Sequence, residues 1–266
     1  MTGFARTDFS LERLVDNSYK AIDGGVYETK QSLTHDTISL REAITLCVHA
    51  PLITEIKFSS PSQGRIRNKT EPAEIAKTMV DSGAIGISVL TQPSLFDGSI
   101  EYLATIRRGQ PRIPLLMKDI TVSTVQIDAG KKVGADCVLL IKSIFDRNLA
   151  EDSMEKLLEY AKNRGLEVLV EVHTEQEFGE VLKAKNDLVG INNRNLDTLQ
   201  VEITNTEKLL KMYNKGESVI ISESGICSPK DIQYLKTAGA DAFLVGTSIM
   251  QTADIGAKIS ELYYAF

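Results

Sequence analysis

Charged and amide side chains recur at the carboxyl ends of apolar runs, where a buried strand would normally exclude them. They are Glu55, Lys57, Lys118, Glu171, Asn192 and Glu223. An ionised group that is buried without a partner is strongly destabilising. Ionisable groups that recur at equivalent positions of several strands therefore indicate one shared pocket. Ammonium and carboxylate groups in such a pocket can donate and accept protons. The chemistry that the sequence offers is therefore acid–base catalysis by lysine and glutamate.

The spacing of these residues predicts that they face the same way. Side chains two apart on a strand share a face, which groups Glu55 and Lys57 with Ile53 and groups Lys118 with Leu116. In each case the polar residue lies toward the carboxyl end, which is the catalytic face of a barrel of parallel strands.

Two other charges near these ends are predicted to be structural. Lys142 ends the run CVLLIK, but the phase set by Leu139 and Ile141 turns it outward. Asp119 follows Lys118 and faces away from it, so we expect a structural partner for its carboxylate.

Eight apolar runs alternate with amphipathic helical stretches over roughly 215 residues, as in a (β/α)8 barrel. The runs are LITEIKF (52–58), IGISVLT (85–91), PLLMKD (114–119), CVLLIK (137–142), EVLVEV (167–172), LVGINN (188–193), SVIISESG (218–225) and AFLVGT (242–247). Their content of Val, Ile and Leu is typical of strands buried on both faces. We predict an α/β fold, a (β/α)8 TIM barrel. An open doubly wound sheet is the alternative, weakened because no GxGxxG follows the first run.

The first 50 residues have a different pattern. SLERLVDNSYKAI (10–22) and SLREAITLCVHA (39–50) are amphipathic, and the polar segment between them is predicted to be a loop. We expect residues 1–50 to form an N-terminal helical extension that covers one end of the barrel. Residues 51–266 are expected to form the barrel, within one structural domain overall.

Glycine and hydroxyl residues follow the last two runs, in SESGI and LVGTS. The loops after strands seven and eight of such barrels frequently bind phosphate through backbone N–H groups. Gly225, Gly246, Thr247 and Ser248 fit that role. Ser60, after the first run, and Arg194, after the sixth, are placed to reach the same anion.

Composition and residue spacing argue against several other classes of function. The net charge is −6 and the lysines do not cluster, so no nucleic-acid surface is expected. No stretch approaches the length of a membrane span, and three unpaired cysteines favour a reducing compartment, which predicts a cytoplasmic protein. His35, His49 and His173 share no ligand spacing, so we expect no metal.

Together these motifs resemble the indole-3-glycerol phosphate synthase family of tryptophan biosynthesis. The matching stretches are EIKFSSPSQG, LTQPSLFDGS, LLMKD, GADCVLLI, LVEVHTEQE, VGINNRNLDTLQVE, ISESGI and AFLVGTSIM. They fall on all eight runs, in order. The resemblance implies a lyase that closes the indole ring of 1-(2-carboxyphenylamino)-1-deoxyribulose 5-phosphate, releases CO2 and water, and needs no cofactor.

The resemblance also implies a role for each site residue. The catalytic residues would be Lys118, Lys57, Glu55, Glu171, Asn192 and Glu223. Substrate would also contact Ser224, Phe96, Leu139 and Ile120. The phosphate ligands would be Lys57, Ser60, Arg194, Gly225, Gly246 and Thr247. Many members have Phe where this chain has Ile120, so one ring-stacking surface is smaller here.

The expected mechanism divides the proton transfers between two lysines. Lys118 would be the acid of ring closure, and a lysine ammonium donates its proton more readily if neighbouring cations and partial burial lower its pKa. Lys57 with Glu55 would serve the dehydration, and Glu171 would orient Lys118 or act as a base. Other enzymes of tryptophan biosynthesis are the expected class of protein partner.

Two alternatives stay open. A sister barrel such as phosphoribosylanthranilate isomerase would share the phosphate loops but would be expected to use a Cys/Asp pair. A non-catalytic barrel would keep phosphate binding alone. The set of Glu55, Lys57, Lys118 and Glu171 argues against both.

Overall fold

The computed structural model describes residues 10–266, and eight parallel strands form a closed barrel at its centre. The strands are β1 Leu52–Ile56, β2 Gly86–Leu90, β3 Leu115–Lys118, β4 Cys137–Ile141, β5 Glu167–Val172, β6 Leu188–Asn192, β7 Val219–Glu223 and β8 Ala242–Val245. The barrel closes where β1 pairs with β8, as in the register of Leu52 with Phe243. The TIM barrel prediction is confirmed. The open sheet is wrong, because this pairing leaves no free edge.

Helices precede, connect and follow the strands of the barrel. They are α1 Leu11–Asp23, α2 Leu40–Leu46, α3 Pro72–Asp81, α4 Pro93–Phe96, α5 Ile100–Gly109, α6 Thr124–Lys132, α7 Lys142–Asp146, α8 Met154–Asn163, α9 Glu175–Lys183, α10 Thr204–Met212, α11 Pro229–Ala238, α12 Thr247–Met250 and α13 Ile255–Tyr263. A short antiparallel hairpin, Ser59–Ser60 with Gly64–Arg65, follows β1. Within residues 10–266, no helix has the length and hydrophobicity to cross a membrane.

Local sequence explains where these helices begin and end. At the start of α11 the Ser228 side chain accepts a hydrogen bond from the Asp231 N–H, and the Asp231 carboxylate accepts one from the Ser228 N–H. Gly239 ends α11 with φ of 107°, a left-handed conformation that favours glycine. Gly83 and Gly134 adopt left-handed backbone before β2 and β4, so one helix-to-strand turn recurs along the chain.

Alternation along the strands divides the apolar side chains into two cores. Outward residues such as Val89 and Met117 pack beneath the helices, while inward residues such as Ile53 and Leu169 fill the barrel. Burying each such side chain contributes about 1.5–3 kcal/mol. The inward positions become polar toward the carboxyl ends of the strands, so the apolar core ends where the candidate site begins.

The two helices of the N-terminal extension lie at opposite ends of the barrel, and the prediction that they cover the same end is wrong. Helix α1 lies at the carboxyl ends, where Leu14 lines the main cavity and the Tyr19 hydroxyl donates to the Leu149 carbonyl at 3.1 Å. Helix α2 lies at the amino ends, where the Leu40 N–H donates to Glu167 at 2.6 Å. Hydrophobic periodicity identifies the buried face of a helix but not the end of the barrel that it covers.

The segment between α1 and α2 runs along the outside of the barrel. The Tyr27 hydroxyl donates to Asp119 Oδ2 at 2.8 Å near one end, and His35 Nε2 lies 3.0 Å from Asp136 Oδ1 near the other. Burial raises the pKa of Asp119 to about 6, against the hydrogen bonds from Thr91 and Tyr27 that lower it. The Asp119 carboxylate therefore has structural partners, as expected, in Tyr27 and Thr91.

Candidate active site

A cavity of about 340 Å³ opens at the carboxyl ends of the strands. Its lining includes every site residue that the sequence predicted: Glu55, Lys57, Ser60, Phe96, Lys118, Ile120, Leu139, Glu171, Asn192, Arg194, Glu223, Ser224, Gly225, Gly246, Thr247 and Ser248. Lys142 lies outside this lining and pairs with Asp146 and Glu180, as its strand phase predicts. The fold thus brings all the predicted side chains into one place, while their individual roles stay predictions.

Lys118 lies between two buried glutamates. Its Nζ atom is 2.7 Å from Glu171 Oε2 and 3.3 Å from Glu223 Oε2. Burial alone would lower the pKa of Lys118, but the charges of Glu171, Glu223 and Glu55 outweigh it and raise that pKa. The condition that would ease proton donation, a lowered pKa, is not met at Lys118, because the charges that reach this lysine most strongly are carboxylates.

The two glutamates beside Lys118 differ in protonation. Burial raises the pKa of Glu223 to about 8, since the pull of Lys118 does not compensate for it. Burial acts on Glu171 too, but the Lys118 charge and hydrogen bonds, including one from Asn192 Nδ2 at 2.9 Å, lower its pKa. At neutral pH Glu171 is therefore the ionised carboxylate, and Glu223 is mostly the neutral acid.

A second ion pair lies at the end of β1. Lys57 Nζ is 2.5 Å from Glu55 Oε1, and the Glu55 side chain is buried while Lys57 is partly exposed.

Two glycines make room for carboxylates inside the barrel. A Cβ on Gly246 would stand 2.5 Å from Glu55 Oε1, and a Cβ on Gly190 would overlap Glu223. Glycine at position 246 therefore leaves the space that the Glu55 carboxylate occupies.

The loops after β1, β6, β7 and β8 form the side of the cavity where the sequence predicts an anion-binding loop. Arg194 is held there, since its N–H donates to Asn192 Oδ1 at 2.9 Å and its guanidinium donates to the Leu199 carbonyl at 2.9 Å. Ser224 has φ of 69°, a backbone conformation uncommon outside glycine that recurs at functional sites. With Gly225 beside it and Lys57 near, this side offers backbone N–H groups and cations to a phosphate.

Apolar side chains form the opposite wall, and some of them were missed from the sequence. The predicted residues Phe96, Ile120 and Leu139 share this wall with Leu14 and Leu196. Leu14 lies in α1, and the sequence signal that marks it as buried is its position in the apolar stripe of that helix. A planar aromatic ring fits such a wall because it buries apolar area there.

A family model and curated relatives of this chain point to the same family. The model of the indole-3-glycerol phosphate synthase family matches residues 12–262. The chain is 37% identical to the indole-3-glycerol phosphate synthase of Acetivibrio thermocellus over 246 residues, 92% of each chain. It is 42% identical to that of Methanocaldococcus jannaschii over 213 residues, 79% of this chain and 77% of the relative.

A solved structure shares the fold at low sequence identity. Thiamine phosphate pyrophosphorylase from Pyrococcus furiosus superposes with a TM-score of 0.61 at 18% identity, over 85% of this chain and 97% of that one. This likeness concerns the barrel alone. The family match and the identities to curated relatives go further: the chain belongs to the indole-3-glycerol phosphate synthase family.

Proposed function

We propose that the protein is an indole-3-glycerol phosphate synthase. It converts 1-(2-carboxyphenylamino)-1-deoxyribulose 5-phosphate to indole-3-glycerol phosphate, CO2 and water. The observation that carries the proposal is the position of Lys118, whose ammonium group contacts Glu171 and Glu223 inside a cavity that also holds Glu55 and Lys57. Two acid–base clusters beside one anion-binding loop match a reaction that moves protons on a phosphorylated substrate.

The substrate binds with its two ends on opposite sides of the cavity. Its phosphate lies at the loops of Gly225 and Gly246, where Arg194 and Lys57 supply positive charge. Its aromatic ring lies against the apolar wall that includes Leu139. This orientation brings the ketone between the two lysines, and the distance between the reacting carbons is set by the two anchors.

Ring closure joins the ring carbon that bears the carboxylate to the ketone carbon. The anilino nitrogen supplies electron density to the ring, and the ketone oxygen takes a proton from the Lys118 ammonium. The raised pKa of Lys118 ensures that this proton is present in the free enzyme. The bond to the carboxylate then breaks, CO2 leaves, and its bonding electrons restore the aromatic ring.

Dehydration completes the indole. The hydroxyl formed from the ketone takes a proton and leaves as water, and a base removes a proton from the carbon beside the nitrogen. We assign this step to Lys57 with Glu55, and Glu171 to holding Lys118 or serving as the base. A neutral Glu223 adds no repulsion against the substrate carboxylate.

A single assay separates this function from its alternatives. Purified protein is incubated with the carboxyphenylamino substrate, and the rise of indole fluorescence is recorded together with CO2 release. Both signals are expected, and a Lys118→Ala sample serves as the blank. Isomerase activity on phosphoribosylanthranilate without indole formation would reverse the assignment. Phosphate binding without either product would favour a non-catalytic barrel. We further propose a cytoplasmic location, since the substrate is a water-soluble phosphate ester.

A further inference from the structure

His173 connects the ends of two strands that carry catalytic side chains. It follows β5 directly, and its Nδ1 atom lies 2.8 Å from the backbone carbonyl oxygen of Asn192, the last residue of β6. Its Nε2 atom lies 3.3 Å from Asn195 Nδ2. The regular pairing of β5 with β6 stops at Val172 and Ile191, so the imidazole makes the next contact between the strands.

The hydrogen bonds around the imidazole define its tautomer. Asn195 Oδ1 accepts from the N–H groups of Asp197 and Thr198 at 2.9 and 2.8 Å, which fixes the Asn195 amide with Nδ2 toward His173. Nδ2 can only donate, so Nε2 of His173 must accept. The Asn192 carbonyl can only accept, so Nδ1 must carry the proton. Both partners therefore require the same neutral ring, protonated at Nδ1.

The other atoms of Asn192 are also fixed. Its Nδ2 donates to Glu171 Oε1 at 2.9 Å, and its Oδ1 accepts from the Arg194 N–H at 2.9 Å. The backbone of His173 is anchored as well, since its N–H donates to Glu177 at 2.7 Å and its carbonyl accepts from Asn205 at 2.9 Å. The anchored imidazole of His173 thus holds Asn192. The Asn192 amide binds one carboxylate oxygen of Glu171, which leaves the other oxygen for Lys118.

We infer that His173 is a positioning residue for catalysis, acting as a neutral Nδ1–H donor that holds Asn192 in place and so aims Glu171 at Lys118. The kinetic part of this inference rests on the proposed function. The hydrogen-bond part does not depend on it. The residue does not contact the main cavity and takes no part in proton transfer.

Variants at residue 173 test the kinetic part. The amide N–H of Asn stands close to the position of Nδ1–H, whereas that of Gln extends toward the position of Nε2. His173→Ala and His173→Gln are expected to lower kcat about tenfold, while His173→Asn stays within about threefold of the wild type, because small misplacements of catalytic groups are costly. Since His173 acts through Asn192, His173→Ala should add little to the loss in Asn192→Ala. His49→Ala, which removes an imidazole packed against the rings of Tyr263 and Tyr264, is the matched control.

The tautomer is tested by long-range proton–nitrogen NMR of the imidazoles. The chain has three histidines, and the spectrum of His173→Asn assigns the signal of residue 173. An Nδ1-protonated ring supports the inference; an Nε2-protonated or doubly protonated ring overturns it. Wild-type kcat in His173→Ala, or equal losses in the Asn and Gln variants, would also overturn it. If the wild type forms no indole, the proposed function fails, and the NMR result still decides the hydrogen-bond geometry.

Discussion

Lys118 Nζ lies 2.7 Å from Glu171 Oε2, although 53 residues separate the two in the chain. They come from β3 and β5, which are not neighbours in the barrel, because β4 lies between them. The inward residues of β4 near this level, Leu139 and Ile141, are apolar and leave the two charges to meet across the cavity. The contact therefore depends on the register of three consecutive strands, β3, β4 and β5.

Replacement of Lys118 is expected to abolish most of the activity. Lys118→Ala should lower kcat by about 10²-fold or more, because the ketone oxygen loses its proton donor. Indole fluorescence at saturating substrate measures kcat. Lys142→Ala is the matched control, since Lys142 ends an apolar run but lies outside the cavity lining. Near wild-type turnover in Lys118→Ala would remove Lys118 from the mechanism.

Lys57 is expected to affect both substrate binding and turnover. Lys57→Ala should lower kcat by about 10²-fold or more, as removal of an acid–base group does. It should also raise KM, because Lys57 lies near the phosphate loops, whereas Lys118→Ala should change KM less. Steady-state kinetics of both variants separate the two roles. A raised KM with unchanged kcat would restrict Lys57 to phosphate binding.

Glu223 is expected to make the protein less stable as the pH rises. Its folded pKa is about 8 against an ordinary value of 4.5, so between these values the folded protein holds a proton that the unfolded chain has lost. The free energy of unfolding therefore falls as pH increases through this window, and below it the group has no effect. Glu223→Gln removes this pH-dependent loss of stability. The Tm of Glu223→Gln should therefore rise relative to that of the wild type from pH 5 to pH 8.5.

Calorimetry across this pH range checks the expectation. Glu155→Gln, a change at an exposed residue of α8, is the control and should show no such trend. A Tm difference between Glu223→Gln and wild type that stays constant with pH would mean that Glu223 is ionised in the folded protein. The assignment of Glu223 as the neutral member of the cluster would then fail.

We expect the Tyr27 hydroxyl to matter more for the stability of the fold than for activity. It donates to Asp119 and accepts from Gln126 Nε2 at 3.3 Å, all in buried positions. Tyr27→Phe should lower the free energy of unfolding by about 1–3 kcal/mol, since it leaves a buried carboxylate with one donor fewer. Urea titration measures the loss, with the exposed Tyr264→Phe as control. Unchanged stability would show that the contact contributes nothing net.

Strand alternation by itself predicts much of this site. The phase of β1 placed Glu55 inward, and the phase of β4 turned Lys142 outward, because a period of two is fixed by the backbone itself. Periodicity could not show that Lys118 meets Glu171 over β4, since the pairing depends on strand stagger and on the size of the residues between them. Nor could it place Leu14 in the cavity wall, because nothing in the pattern of α1 specifies the direction of the connecting loop.

Gly246 lies where the loop after β8 meets Glu55, and a single methyl group there should displace Glu55. Its φ of −118° suits any residue, so an alanine there meets no backbone strain. The added Cβ would stand 2.5 Å from Glu55 Oε1, and Glu55 would have to move together with its partner Lys57. Gly246→Ala is therefore expected to lower kcat/KM by about 10²-fold or more.

Inhibition by inorganic phosphate separates displacement of Glu55 from obstruction of the anion loop in Gly246→Ala. A weakened Ki with near-normal kcat would mean that the methyl group obstructs only the anion loop. An unchanged Ki with low kcat would mean that displacement of Glu55 causes the loss, which is the result we expect from the contact. Gly109→Ala is the matched control, since its Cβ would meet only Ala73 Cβ at 3.6 Å, an ordinary contact. Full activity in Gly246→Ala would show that turnover does not require Glu55 at this position, and its assignment to dehydration would be withdrawn.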